Sequence, residues 1–494
     1  MSRPAPFPQL PAGPPLALGR RSCECRAEVQ EEAMAPIDLS ATLARIDADL
    51  PQATERLMDL VAIPSVSTDP AFRADCARAA AWLAEQLADL GFAAEVMPTP
   101  GHPMVVARHE GPGRHILFYG HYDVQPVDPL ALWDRPPFEP AVIDTPRGKV
   151  IHGRGASDDK GQLMTFIEAC RAWKAVHGSL PGNLTIFLEG EEESGSPSLV
   201  PFLKAHRDRL AADLALICDT DLYADGRPAI VTMLRGLVGE EITLRAASRD
   251  LHSGMYGGLA QNPARVLARI ISGLHDENGR VTLPGFYDGV DPLPNQIAAD
   301  WAALDFDAAG YLGDVGLSIP AGEAGRTPLE MIWSQPTCEV NGIESGYTGE
   351  GFKTVLPGLA RAKISMRLVG RQDPARISAA FRDYVRAALP KDVTVTFTEH
   401  GGSPASVMAV DDPAFGAARA ALSEEWGREA AFIGSGGSIP VAGDFQRILG
   451  MDSMLIGFAR PDDRIHSPNE KYDLASYHKG MRSWARILAR LYAD

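Results

Sequence analysis

Ile-Leu-Phe-Tyr-Gly-His-Tyr-Asp (116–123) is an apolar run of strand length that ends on a glycine and two side chains able to bind a metal, His121 and Asp123. The pattern recurs downstream. Leu184 to Leu188 leads into Glu-Gly-Glu-Glu-Glu-Ser-Gly-Ser (189–196), and Leu214 to Cys218 ends on Asp219. Short continuous apolar runs bounded by turn signals read as strands buried on both faces. Helical stretches alternate with them: Cys76, Ala79, Ala80, Leu83, Leu87 and Leu90 recur at helical spacing before Gly91, and Gln162 to Val176 lies between two of the strands. That order predicts an α/β fold with a doubly wound, mainly parallel sheet covered on both faces. Open sheets of this kind build their sites just beyond the carboxyl ends of the strands, where successive loops converge. His121, Asp123, the Glu191 to Glu193 run and Asp219 all fall there.

A second module interrupts the first. Leu237 to Arg245 turns to alternation, Ala362, Ile364, Met366 and Leu368 mark a period-2 strand, Pro374 to Leu389 is helical, and Val393 to Phe397 is again a strand. Residues 236–405 are therefore expected to form an inserted α+β domain between catalytic parts at 34–235 and 406–494. Within it, residues 280–335 are rich in Gly and Pro, weakly patterned, and read as an elaborate loop region. Helices are expected again at Pro413 to Trp426 and Leu474 to Leu491. Residues 1–33 carry six prolines, Cys23 and Cys25, and no apolar core long enough for a signal peptide. Their composition reads as disorder, as an extension upstream of a true start at Met34 or as a flexible tail.

The 494 residues suffice for two or three domains. A formal net charge of −17 argues against nucleic acid or an anionic membrane as partner, and no segment approaches the ~20 apolar residues of a membrane-spanning helix. The six cysteines show neither paired zinc-site spacing nor a dense disulfide framework, so a cytoplasmic protein is expected.

The chemistry lies in the polar residues at the strand ends. An imidazole bound to a metal needs its second nitrogen fixed by an acceptor, and Asp123 is close enough in sequence to His121 to supply one. Asp158 sits among Gly153, Gly155 and Gly161, where the backbone can turn tightly and approach an ion. Its neighbour Asp159 is expected to point elsewhere. Three consecutive glutamates are most often a solvated face. After a buried strand, however, two of them can divide the work, one binding metal and its neighbour holding the attacking water. Asp219 alone could be a strand-end turn residue, and His466, in Ile-His-Ser-Pro-Asn-Glu-Lys (465–471), an ordinary surface histidine. Together they supply two histidines and three carboxylates, a set that holds two divalent ions around a shared carboxylate.

At this point the sequence resembles the carnosinase-like, cytosolic nonspecific dipeptidase branch of the metallopeptidase family that includes aminoacylase and acetylornithine deacetylase. The motifs are Gly-His-x-Asp-Val-Gln-Pro (120–126), Trp-Asp-x-x-Pro-Phe (133–138), Gly-Arg-Gly-x-x-Asp-Asp-Lys-Gly (153–161), Glu-Glu-Ser-Gly-Ser (192–196), Asp-Leu-His-Ser-Gly-x-Tyr-Gly-Gly (250–258), Lys-Thr-Val-x-Pro (353–357), Gly-Gly-Ser-Ile-Pro-Val (436–441) and His-Ser-x-Asn-Glu-Lys (466–471). The resemblance runs from about residue 40 to the end. It implies that Asp158 bridges two ions, with His121 and Asp219 completing one site and Glu193 and His466 the other. It further implies Glu192 as general base, Asp123 as the residue orienting His121, and a cis peptide between Asp158 and Asp159. Thr354, Arg367 and Ser438 match positions that grip the substrate, and His252 matches one that reaches a partner's active site across a homodimer formed by the inserted domain.

The function expected is that of a hydrolase, a zinc- or manganese-dependent metallopeptidase acting as a dipeptidase on short unblocked peptides. The alternative in the same class is an N-acyl or carbamoyl amino acid amidohydrolase. A more distant one is an inactive binding protein that keeps the fold, which loss of a ligand or of the base would have supported. None is lost. Read without the resemblance, Arg367 still makes sense as a ligand for a terminal carboxylate, and His252 as a donor to a developing oxyanion.

Overall fold

In the computed structural model, residues 38–437 and 439–493 are described. The expectations for residues 1–33, and for Ser438, lie outside them.

A nine-stranded sheet organises the molecule. At its centre Ile116–His121 pairs in parallel with Leu184–Glu189 on one side and Leu214–Ile217 on the other, and Leu214–Ile217 pairs in parallel with Ser453–Leu455. All the residues of the three longer central strands are buried, as continuous apolar runs require. Toward the edge the pairing turns antiparallel: Met104–His109 joins Leu184–Glu189, and Ala93–Met97 joins Met104–His109. The whole sheet is thus mixed, with its parallel core where the site residues emerge.

Both faces are covered. Phe118 stacks on Phe166 of the helix Lys160–His177 with ring centroids 4.0 Å apart, and Trp484 of the helix Leu474–Leu491 meets both rings edge-on. Its indole N–H donates to Thr165 at 3.0 Å. Tyr119, one residue on and so facing the other way, packs against Phe187 and Phe445, and Phe187 stacks on Phe202 of the helix Leu199–Ala205.

Between the two stretches of this sheet, the chain builds a four-stranded antiparallel sheet in the order Thr337–Ser345, Leu359–Leu368, Gly236–Arg245, Thr394–Ser403. Leu359–Leu368 buries Ala360, Ala362, Ile364, Met366 and Leu368, the period-2 set. With the helices Pro263–Ser272 and Pro374–Ala387 they form a separate apolar core. The fold is therefore an α/β sheet domain with an inserted α+β unit. Residues 280–335, read above as loop, hold three short helices, Asn295–Ala302, Ala308–Gly313 and Pro328–Trp333. A reciprocal cap between Thr327 and Glu330 starts the last one. No helix among the described residues is long and apolar enough to cross a membrane.

A small sheet matters for the site. Gly148–His152 pairs antiparallel with Ala141–Thr145 and with Lys471–Asp473. That pairing brings the loop 153–158 against the loop 463–470, although more than 300 residues separate Asp158 from His466 in sequence.

Candidate active site

The parallel strands deliver His121, Glu192, Glu193 and Asp219 to one edge, and the small sheet delivers Asp158 and His466. His121, Asp158 and Asp219 present ligand atoms within 4.8 Å of one another, and so do Asp158, Glu193 and His466. Asp158 belongs to both sets with different oxygens: Oδ1 lies 3.1 Å from Nε2 of His121, Oδ2 3.0 Å from Nε2 of His466. Glu193 closes the second set, 3.2 Å from His466, and Asp219 the first, 3.9 Å from His121.

The orientation of His121 follows from its other nitrogen. Nδ1 lies 3.1 Å from the carbonyl oxygen of Asp123, and a carbonyl can only accept. Nδ1 therefore donates a proton to that carbonyl, and Nε2 faces Asp158 and Asp219. Burial works against a charge on the imidazole, yet hydrogen bonds to Asp123 and Asp158 raise it well above its usual range. Nε2 would become a ligand once a cation displaces its proton. The Asp123 carboxylate is slightly further from Nδ1, 3.5 Å, and its closer hydrogen bonds come from elsewhere: the backbone N–H groups of Glu192 and Glu193 donate to it at 3.2 and 3.0 Å. Asp123 thus joins the histidine to the glutamate turn. The Asp159 carboxylate accepts the backbone N–H of His121 at 3.1 Å, so the two adjacent aspartates do point to different tasks. The peptide between them is cis.

The glutamate run divides three ways. Glu191 turns inward, where its carboxylate accepts the backbone N–H groups of His102 at 2.8 Å and Ser198 at 3.0 Å. Glu193 is held by the Gln125 side-chain amide at 2.7 Å. Glu192 is the remaining one, and burial pushes its carboxyl up to about 7, with Glu193 and Asp123 adding to the rise and His121 opposing it.

The electrostatics suit cations. Burial raises the Asp219 carboxyl well above its usual range even with His121 nearby, and Asp158 and Glu193 raise His466 to about 10. Burial works against the charge on Asp158, yet hydrogen bonds from both histidines hold it below the usual range. Two imidazoles and three carboxylates fit two divalent ions, and cations binding here would displace protons.

Several residues support the site in roles that the sequence did not reveal, although the motifs at 153–161 and 466–471 contain them. The buried Glu470 carboxylate accepts the N–H groups of Gly155, Ser157 and Asp158, and Lys160 donates to the carbonyls of Leu60 and Ile63. Their partners are remote in sequence, so no local pattern shows what they hold.

The expected substrate residues are placed differently. His252 forms a two-residue strand with Leu251, paired with Val355–Leu356, and the Thr354 carbonyl accepts the N–H of Ser253 at 3.1 Å. The His252 side chain is exposed, and its Nδ1 accepts from Gly254 at 3.0 Å. Arg367 sits opposite Thr337 and Leu237 in the four-stranded sheet. Near it is Arg235, which the sequence reading missed; its guanidinium is lowered to about 10 by burial and by Arg367, and it donates to the Gly436 carbonyl at 3.1 Å. A cleft of about 930 Å³ contains Asp158, Asp219, His466 and Gly436; His252, Thr354 and Arg367 do not line it.

A buried parallel sheet with overlapping imidazole–carboxylate clusters at its carboxyl edge is the frame of a metal-dependent hydrolase. Over residues 117–490 the sequence matches the family described as Peptidase family M20/M25/M40. It is 30% identical to the Cys-Gly metallodipeptidase DUG1 of Saccharomyces cerevisiae over 474 residues, 91% of this chain and 97% of that one. It is 29% identical to the human Beta-Ala-His dipeptidase over 482 residues, 92% of this chain and 93% of that one. The structure superposes with a TM-score of 0.77 and 32% identity on an M20 family metallo-carboxypeptidase, Sso-CP2 of Sulfolobus solfataricus, covering 90% of this chain and 99% of that one. The chain belongs to the M20/M25/M40 peptidase family.

Proposed function

We propose that this protein is a dinuclear metal-dependent dipeptidase that hydrolyses short unblocked peptides. The observation that carries the metal site is Asp158, which turns one carboxylate oxygen to each of two histidines. Relatives with dipeptidase names that align over more than nine-tenths of the chain favour peptides over N-acyl amino acids as substrate. Zinc is the first ion to test and manganese the second, because mixed N/O sets accept both.

His121, Asp158 and Asp219 would hold one ion, and Asp158, Glu193 and His466 the other. Two such ions would polarise the scissile carbonyl and let water ionise near neutral pH. In this reading Glu192 takes the proton of the attacking water on its carboxylate and passes it to the leaving amine; its raised proton affinity suits both steps. Arg367 with Thr354 and Ser438 would hold the substrate's carboxylate and backbone, and the nearby positive Arg235 supports an anion there. We assign residues 236–405 to the dimer contact, so that His252, exposed and outside the cleft of its own subunit, completes the site of a homodimer partner. Four buried free thiols, Cys76, Cys170, Cys218 and Cys338, fit a cytoplasmic location.

The test is a panel of dipeptides against N-acetyl amino acids, with zinc and with manganese. Dipeptide hydrolysis that chelators abolish and either metal restores is expected. Turnover of the N-acetyl series alone would replace this reading with an amidohydrolase.

A further inference from the structure

We propose that the cleft beside the clusters carries an aromatic side-chain subsite, built from Tyr223, Phe306, Tyr311 and Trp333, that selects dipeptides with a bulky apolar or aromatic residue. The proposal rests on the dipeptidase reading and concerns the same site.

Three observations carry it. The four side chains line the cleft that holds Asp158, Asp219 and His466, so a substrate reaching the clusters meets them. Its volume of about 930 Å³ is at the upper end of the ~300–1,000 Å³ typical of sites that enclose drug-sized ligands. A dipeptide of small residues would leave most of that space as water. Finally, the rings form a braced surface. Tyr223 meets Trp333 edge-on with centroids 6.1 Å apart, and Trp333 meets Trp301 at 4.9 Å. The Trp301 indole N–H is anchored on the Phe432 carbonyl at 3.1 Å. Gly434 lies flush against Trp333: a Cβ there would come 2.5 Å from the tryptophan Cβ, so only glycine lets the ring sit this close to the sheet. In the lining of the same cleft, Phe306 and Tyr311 pack with centroids 5.4 Å apart, and Tyr311 remains 59% exposed.

An exposed tyrosine next to a second ring, in the wall of a catalytic cleft, gains most by covering an apolar group. The occupant in question is a substrate side chain, because the wall is continuous with the metal clusters. Phe306 and Tyr311 belong to the 280–335 stretch, which assigns that stretch a part in specificity.

The experiment compares kcat/KM for Phe-Gly, Gly-Phe, Ala-Gly and Gly-Ala with the metal-loaded full chain. The better phenylalanine substrate should exceed its alanine counterpart by about tenfold or more, since each apolar increment in such a pocket discriminates by at least that order. Tyr311→Ala and Phe306→Ala should both narrow the ratio. Calorimetric binding of the better phenylalanine dipeptide to Glu192→Gln should be weakened by adding Tyr311→Ala. A phenylalanine-to-alanine ratio near one, or a ratio that neither variant changes, would overturn the subsite. If no dipeptide is cleaved while the binding difference holds, the dipeptidase reading fails and the subsite stands.

Discussion

The Glu470 carboxylate meets the Arg154 guanidinium at 2.7 Å, with the two side chains 0% and 1% exposed. The same carboxylate accepts the N–H groups of Gly155, Ser157 and Asp158 at 3.0, 3.0 and 3.1 Å, so it clamps the loop carrying Asp158 to the loop carrying His466. Glu470→Gln would leave Arg154 charged and buried without its partner, a change that costs about 3–5 kcal/mol. Because the clamped loop also sets Asp158, metal affinity should fall by about 10–100-fold. Urea unfolding and titration in metal-buffered solution measure the two effects. A variant as stable and as tight for metal as the wild type would show that the clamp is dispensable.

Glu192 and Glu193 are adjacent but differently placed, which separates their variants. Glu193 is 3.2 Å from His466 within a cluster, whereas Glu192 is outside both clusters. Glu192→Gln should keep two ions and lose about 10²–10⁴-fold in turnover, the usual share of general-base catalysis. Glu193→Gln should lower metal occupancy. Metal content by mass spectrometry beside single-substrate kinetics tells them apart; equal metal loss in both would end the division of labour.

Glu191 should behave as neither. Its carboxylate satisfies two backbone N–H groups, and Gly101 lies so close that an added Cβ would fall 1.3 Å from its Oε1. Glu191→Ala orphans both donors, each costing about 1–3 kcal/mol when buried. The denaturation midpoint should drop while the two cluster ions still bind. Normal stability together with lost metal would move Glu191 into the ligand set.

These contacts also show what the sequence could carry. Ile116–His121 and Leu184–Glu189 were legible because buried parallel strands are apolar at every position, and Leu359–Leu368 because one buried face imposes a period of two. His121, Glu193 and Asp219 stood out because each comes at or just after the end of a buried strand, and Asp158 because it sits in a glycine-rich turn, whereas His466, in a polar loop, had neither mark. The helices at 295–302, 308–313 and 328–333 were not legible: at eight and six residues they are too short for a helical period to emerge from Gly/Pro-rich surroundings. Nor could the run at 191–193 announce that its first member turns inward, since His102 is 89 residues away. Glu470 is 316 residues from Arg154, and Arg235 gains its setting only when its strand region meets the turn at Gly436. Local patterns encode elements, whereas the supports of the site arise from pairs that only the folded sheet brings together.

His252 provides the test of assembly. Its ring is exposed, bonded through Nδ1 to Gly254, and absent from the lining of the cleft that holds the clusters. If it serves a partner's site, His252→Ala should bind both ions normally and unfold at the wild-type midpoint, yet turn over about 10²–10³-fold more slowly, the usual cost of one lost oxyanion donor. Loss of an oxyanion donor should also appear mainly in kcat. Mixing His252→Ala with Glu192→Gln under subunit exchange should then recover activity, because one site of each mixed dimer regains both groups. Sedimentation velocity should find a dimer, and exchange can be verified with differently tagged chains. Verified exchange without recovered activity would confine His252 to its own subunit or remove it from catalysis, and a monomer at full activity would do so more directly.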